Sequence, residues 1–156
     1  MKKLISLFSL LLLVVYILCA CEGKKEYVIA TDNTFTPFCS VDKDGTAQGF
    51  DIDVITLIAK EENIKINIVP AGLLHSLEAL ENGDADAVIA AVIPTDEWSE
   101  KFDFTDSYYK DYSIALKKGE NKELLEKLNN GILKLIESGK MNELIENYSL
   151  GEDLYE

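Results

Sequence analysis

The side chains able to do covalent or metal chemistry are few in this sequence and lie far apart. His75 is the single histidine, and the three cysteines are Cys19, Cys21 and Cys39, so no histidine and cysteine cluster has the spacing of a metal site. There is no glycine-framed nucleophile, no phosphate loop and no metal-ligand pair on a helix. The neighbouring carboxylates Asp84 and Asp86 follow Gly83 and precede an apolar run, which a turn beside a strand explains. Neither an enzyme nor a metal or other cofactor is expected. Cys39 reads as a small, partly buried side chain, and His75 as a surface or loop residue.

Charge narrows the partners. Lysines number 15, no arginine occurs, and 28 carboxylates bring the net charge to −13. Nucleic acid is excluded as a natural partner, since its phosphates need a cationic surface. The same field repels anionic solutes and mildly favours neutral or cationic ones.

The one cysteine with a chemical context is Cys21. Lys2 and Lys3 precede an apolar run from Leu4 to Leu18, the basic-then-apolar order of an export signal, and fifteen residues fall short of a membrane span. The run ends in Leu18-Cys19-Ala20-Cys21, which resembles the lipobox of bacterial lipoproteins. That resemblance implies cleavage after residue 20 and acylation of Cys21, which would hold the exported chain at the cell envelope. Cys39 would then be a lone thiol, and stability would come from packing alone. Residues 1–20 are thus read as signal, 21–26 as a charged tether and 27–156 as the folded part.

The elements of that part follow from periodicity. Tyr27 to Thr31 reads as a buried strand, Asp42 to Gly45 as a turn, and Phe50 to Glu62 as a helix with Ile52, Ile55, Ile58 and Ala59 on its inner face. Asp51 and Asp53 are read there as acids favoured by the helix N-terminus. Ile64, Ile66 and Ile68 alternate along a second strand; Leu74 to Asn82 is a helix ended by Gly83; Ala85 to Ile93 is a central strand. Thr95 caps a short helix, Tyr112 to Leu116 is another strand, and Asn121 caps a helix striped by Leu124, Leu128, Ile132 and Leu135. After Gly139, Met141, Leu144, Ile145 and Tyr148 form a last stripe. The βαβαβ order predicts an α/β fold of three αβα layers around a mostly parallel sheet.

Several segments together resemble the extracytoplasmic solute-binding proteins of amino-acid ABC importers, family 3, of the glutamine-binding type. They are Ala30-Thr-Asp-Asn-Thr-Phe-Thr-Pro-Phe38, Gly49-Phe-Asp-Ile-Asp-Val54, Leu77 to Asp86, Phe102 to Tyr109, Lys118 to Asn121 and Leu128 to Gly139. The resemblance implies one lobe of a type II periplasmic-binding-protein fold. Family members leave the first lobe after the double-tyrosine segment and build a second; here Tyr108-Tyr109 runs straight into Tyr112-Ser-Ile-Ala-Leu, which resembles the return strand. The second lobe is therefore expected to be absent, with 27–109 and 110–156 forming the two parts of a single lobe.

By the same resemblance, Asp32, Phe35, Leu73, Ala91, Ile93, Thr95 and Trp98 occupy ligand-facing positions. Ala91, Ile93, Thr95 and Trp98 stand where the family commonly carries glycine, two threonines and an arginine. Losing the arginine removes a charge-assisted hydrogen bond worth about 1.5 to 3 kcal/mol, one to two orders of magnitude in affinity for a carboxylate. The plain alternatives are a turn carboxylate for Asp32 and ordinary packing for Phe35, Phe38 and Trp98. The resemblance implies a membrane-anchored, exported substrate-binding component of an amino-acid-type ABC importer, or a truncated relative, that binds a small polar solute weakly. An ABC permease and a homodimer that supplies the missing wall are the implied partners. The alternative is a non-transporting module that uses Phe35, Phe38 and Trp98 as an exposed apolar patch for a protein partner.

Overall fold

A computed structural model describes residues 25–151. The signal, most of the tether and the acylation position Cys21 lie outside the described residues. Within them no helix is long and apolar enough to cross a membrane.

The chain forms β1 (Glu26–Thr31), β2 (Thr34–Phe35), β3 (Cys39–Val41), β4 (Ala47–Gln48), α1 (Phe50–Glu61), β5 (Lys65–Pro70) and α2 (Leu73–Asn82). It continues through β6 (Ala87–Val92), α3 (Asp96–Ser99), β7 (Phe102–Phe104), β8 (Ser113–Lys117), α4 (Lys122–Glu137) and α5 (Lys140–Asn147). A five-stranded sheet runs β5-β1-β6-β8-β7, and β2-β3-β4 form a small antiparallel sheet beside it.

β1 lies between two parallel neighbours, pairing Ile29 with Ile68 of β5 and with Ala87 of β6. Ile29, Ala30, Val88 and Ile89 are correspondingly buried, as apolar strands covered on both faces must be. β8 departs from the parallel pattern: it runs antiparallel to both β6 and β7. The reason is local. Tyr108 N–H donates to the Tyr112 carbonyl and Tyr112 N–H to the Tyr109 carbonyl, so the chain reverses within a tight turn at Lys110, which has φ 46°. No second lobe interrupts the described residues at this point.

α1, α4 and α5 pack together on one face of the sheet and α2 contacts β1, β6 and β8 from the other. Leu124, Leu128, Ile132 and Leu135 of α4 are all buried, as their spacing predicts. Gly131 is what lets α4 approach α1: a Cβ there would lie 2.6 Å from Ile58 Cγ2. Gly49, with φ 128°, is required for the other tight approach, since a Cβ would fall 2.3 Å from the Phe38 carbonyl oxygen.

Some local expectations change. Asn121 holds the position before α4 but does not cap it; its backbone is left-handed, and its side chain instead donates to Asp86 at 3.3 Å. Asp86 already binds the Val28 amide and Lys25, so Asn121 ties the start of α4 to β1. β1 begins at Glu26, inside the segment read as tether. The strands of the small sheet and β7 are two or three residues long, too short for any period to show.

Candidate functional site

The carboxyl ends of β1, β5 and β6 point to one edge. The chain leaves β1 for β5 on one side and then crosses to β6 on the other, with α1 and α2 on opposite faces, so the strand order reverses between β1 and β6. In open α/β sheets this reversal opens a crevice outside the strand ends, the usual place for a ligand. The loops there are Asp32–Asn33 after β1, Ala71–Gly72 after β5 and Ile93–Thr95 after β6.

A buried threonine gathers them. Thr31 donates its hydroxyl to the Ile89 carbonyl at 2.6 Å, and its own carbonyl accepts from Ala71 N–H and from the Ser76 hydroxyl, each at 3.0 Å. Thr31 therefore ties β1 to β6, to the end of β5 and to the first turn of α2. Neither Thr31 nor Ser76 was singled out from the sequence, though a threonine ending an otherwise apolar strand was the available signal.

The sequence-predicted residues divide. Asp32 accepts at a single carboxylate oxygen from Asn33 N–H, Thr34 N–H and the Thr34 hydroxyl, which is the work of a turn carboxylate. Phe35 is 44% exposed and stacks on Phe38 at a centroid distance of 5.2 Å. Leu73 starts α2 after Gly72, and Ile93 is 49% exposed. The Thr95 hydroxyl accepts from Trp98 N–H at 3.2 Å and so caps α3, as the sequence predicts.

Trp98 goes elsewhere. It lines a groove of about 280 Å³ between α2 and α3, with Leu77, Glu78, Glu81 and Phe102 among the other walls. Phe38 is buried under Phe35, against Phe50, Tyr109 and Tyr112. The expected continuous patch of Phe35, Phe38 and Trp98 is thus broken up, because the phenyl ring of Phe38 has aromatic neighbours to bury against and the indole has α2. What remains exposed at the edge is Phe35 and Ile93, with Leu74 at the start of α2.

Asp51 stands in the first turn of α1, as its reading at the helix N-terminus expects, but it is 0% exposed, which that reading did not address. Its Oδ1 accepts from the Tyr108 hydroxyl at 2.9 Å and its Oδ2 from the Ala91 N–H at 2.8 Å, with the Cys39 thiol close enough to act on it electrostatically. Burial raises its pKa from 3.8 to about 6, against the pull of those hydrogen bonds. Burial and the neighbouring Asp51 push the Cys39 thiol up to about 12, so it is no nucleophile. The signal was present: Asp51, Val54, Ile55 and Ile58 share the inward stripe of α1. Ala91, the recipient of this contact, has φ 48°, a left-handed backbone that alanine rarely adopts.

This edge can offer backbone groups, a hydroxyl and apolar surface to a ligand. It brings no arginine, and among the described residues no group of three or more histidine, cysteine, aspartate or glutamate side chains could hold a metal.

Comparison with known proteins places this geometry. The family model described as bacterial extracellular solute-binding proteins, family 3, matches residues 27–152. A probable histidine-binding protein of Neisseria gonorrhoeae is 35% identical over 114 residues, covering 70% of this chain and 42% of that protein. The ABC transporter glutamine-binding protein GlnH of Bacillus subtilis is 29% identical over 157 residues, 84% of this chain and 58% of that protein. The chain therefore spans about half the length of the curated relatives it matches. In fold it is similar to substrate-binding domain 2 of Lactococcus lactis GlnP in its open conformation, with TM-score 0.77 at 19% identity, over 81% of this chain and 96% of that one.

Proposed function

The chain belongs to the bacterial extracellular solute-binding proteins of family 3, and from that premise we propose that it serves as a membrane-tethered, single-lobe solute receptor of an amino-acid-type ABC importer. Acylated Cys21 is its anchor, and a small polar solute such as an amino acid rests on the edge formed by Asp32, Phe35, Leu73, Ala91, Ile93 and Thr95, while Trp98 lies in the neighbouring groove between α2 and α3. The similarity to a probable histidine-binding protein and to a glutamine-binding protein supports the solute class. The observation that carries the reading is the convergence of three strand ends at that edge, followed by the reversal at Lys110 in place of an excursion into a facing lobe.

Binding is weak on this reading. A site usually buries about 70 to 90% of a small ligand, and one wall covers less. The edge also lacks an arginine for the carboxylate. A second copy of the chain, or the permease, supplies the opposing surface.

Thermal shift with a panel of amino acids at about millimolar concentration tests this, since any ligand of the native state stabilises it by mass action. We expect one class of solute to raise Tm, and only at about millimolar levels. Micromolar capture by a monomer in calorimetry overturns the single-wall argument. No shift with any solute, together with a dimer or a bound protein that depends on Phe35 and Ile93, favours the interaction module, for which the exposure of those two side chains is the specific support.

A further inference from the structure

We propose that Asp51 is the positioning residue of the solute-facing edge: its buried carboxylate, held by the Tyr108 hydroxyl, clamps the Ala91 amide and sets the left-handed turn that leads into Ile93 and Thr95. The edge's meaning as a solute site rests on the reading above; the clamp itself rests on geometry.

Three elements meet at this carboxylate. Asp51 comes from the first turn of α1, fixed there by Gly49, Ala91 from the end of β6 and Tyr108 from the connection before the Lys110 reversal. Each carboxylate oxygen accepts one of the two strong donors. An ionised carboxyl has only acceptors, so both contacts are satisfied at once. Left-handed alanine is unfavourable, and a charge-assisted hydrogen bond from its own N–H is large enough to hold it there. The clamp thereby joins the loop that would meet solute to the segment from which a second lobe would depart.

The arrangement is sensitive to one proton. The groups facing Asp51 are the Tyr108 hydroxyl, the Ala91 amide from β6 and the Cys39 thiol from β3; on its own helix, Asp53 is engaged by the Tyr148 hydroxyl instead. Thr31 and Asp32 act on Cys39 in turn. No cation is among the groups acting on Asp51. A proton added to the carboxyl leaves its carbonyl oxygen to accept the Ala91 amide and turns the Tyr108 hydroxyl from donor to acceptor, so the bond to the Ala91 amide loses its charge assistance and weakens. With the pKa of Asp51 raised to about 6, that happens in mildly acidic solution.

The test reads the Ala91 amide directly, by NMR of the ¹⁵N-labelled protein without solute, from about pH 4 to about pH 8. The expected result is an Ala91 signal that titrates with a midpoint near the Asp51 value, while buried amides of α4 such as that of Leu128 stay fixed. Asp51→Asn abolishes the titration. Tyr108→Phe keeps the ring and moves the midpoint upward, because it removes a hydrogen bond that favours the ionised form. A flat Ala91 signal in the wild-type protein overturns the proposal, with no variant needed, and so does a titration that survives Asp51→Asn. If Ala91 titrates while no amino acid shifts Tm, the solute reading of the edge falls and the clamp stands; if a solute binds while Ala91 stays flat, the reverse holds.

Discussion

Two regions of this molecule are held by opposite means. Between α1 and α4 the contact is apolar, closely packed and made possible by one glycine, with Leu124, Leu128, Ile132 and Leu135 buried against the Gly131 and Ile58 approach. At the carboxyl edge the contacts are polar: a buried threonine, a buried aspartate and a strained alanine fix loops whose outer side chains stay in solvent. The first region buys stability, and the second spends part of it on a particular shape. Strain and buried charge at a strand-end edge are what the proposed contact surface would need.

The sharpest break between the two is a pair of truncations. Leu128→Ala opens a cavity in the apolar layer and should destabilise by about 2 to 5 kcal/mol, whereas Phe35→Ala at the half-exposed edge should fall well below that range. Urea unfolding measures both; comparable losses would mean that the edge is as tightly packed as the core.

Next in size is the pH dependence carried by Asp51. Its folded pKa lies above the unfolded value, so the stability it contributes is fully present below about 3.8 and is lost as pH rises through about 6. The loss amounts to about 3 kcal/mol if the whole difference is expressed. Asp51→Asn should therefore gain on the wild type as pH increases from about 4 to about 7, seen as diverging denaturation midpoints. Parallel curves would show that the carboxyl is better solvated than the structure has it. The carboxyls of Glu61, Asp103 and Glu123 are lowered by lysine or backbone partners and work in the other direction, but they are unchanged by the substitution and cancel in the difference.

The smallest effect is the most local. Ala91→Gly relieves a left-handed alanine and should stabilise by about 1 kcal/mol or less, since glycine accepts that backbone freely but also gains freedom when unfolded. A rise in Tm of a few degrees fits the strained-edge picture; a fall would mean that the Cβ packs usefully.

What the sequence disclosed divides along the same line. The apolar layer was legible because burial there repeats every three to four residues, and Leu128 and Ile132 declare themselves. Gly83 and Thr95 were equally readable, since each ends or begins a helix by its own local chemistry. Asp51 was read correctly at a helix N-terminus, but because that position already explains an acid, the local account concealed the long-range one. Ala91 gave no sign at all: the residue type argues against its backbone, and only the distant carboxylate imposes it. Phe38 was left open between ordinary packing and an exposed patch because its cover comes from Tyr109 and Tyr112, about seventy positions along the chain. Sequence periodicity reports layers; it does not report which polar atoms meet across them.

The hairpin at Lys110 has a kinetic meaning. A jaw that swings on its own hinge strands shuts at a rate indifferent to dilution. No such pivot lies among residues 25–151, so on the proposed receptor reading the body that shuts over this edge arrives by encounter, and the frequency of shutting follows its abundance, actual or tether-imposed. On that reading, crowding at the envelope sets the sensitivity of the receptor as much as the solute does.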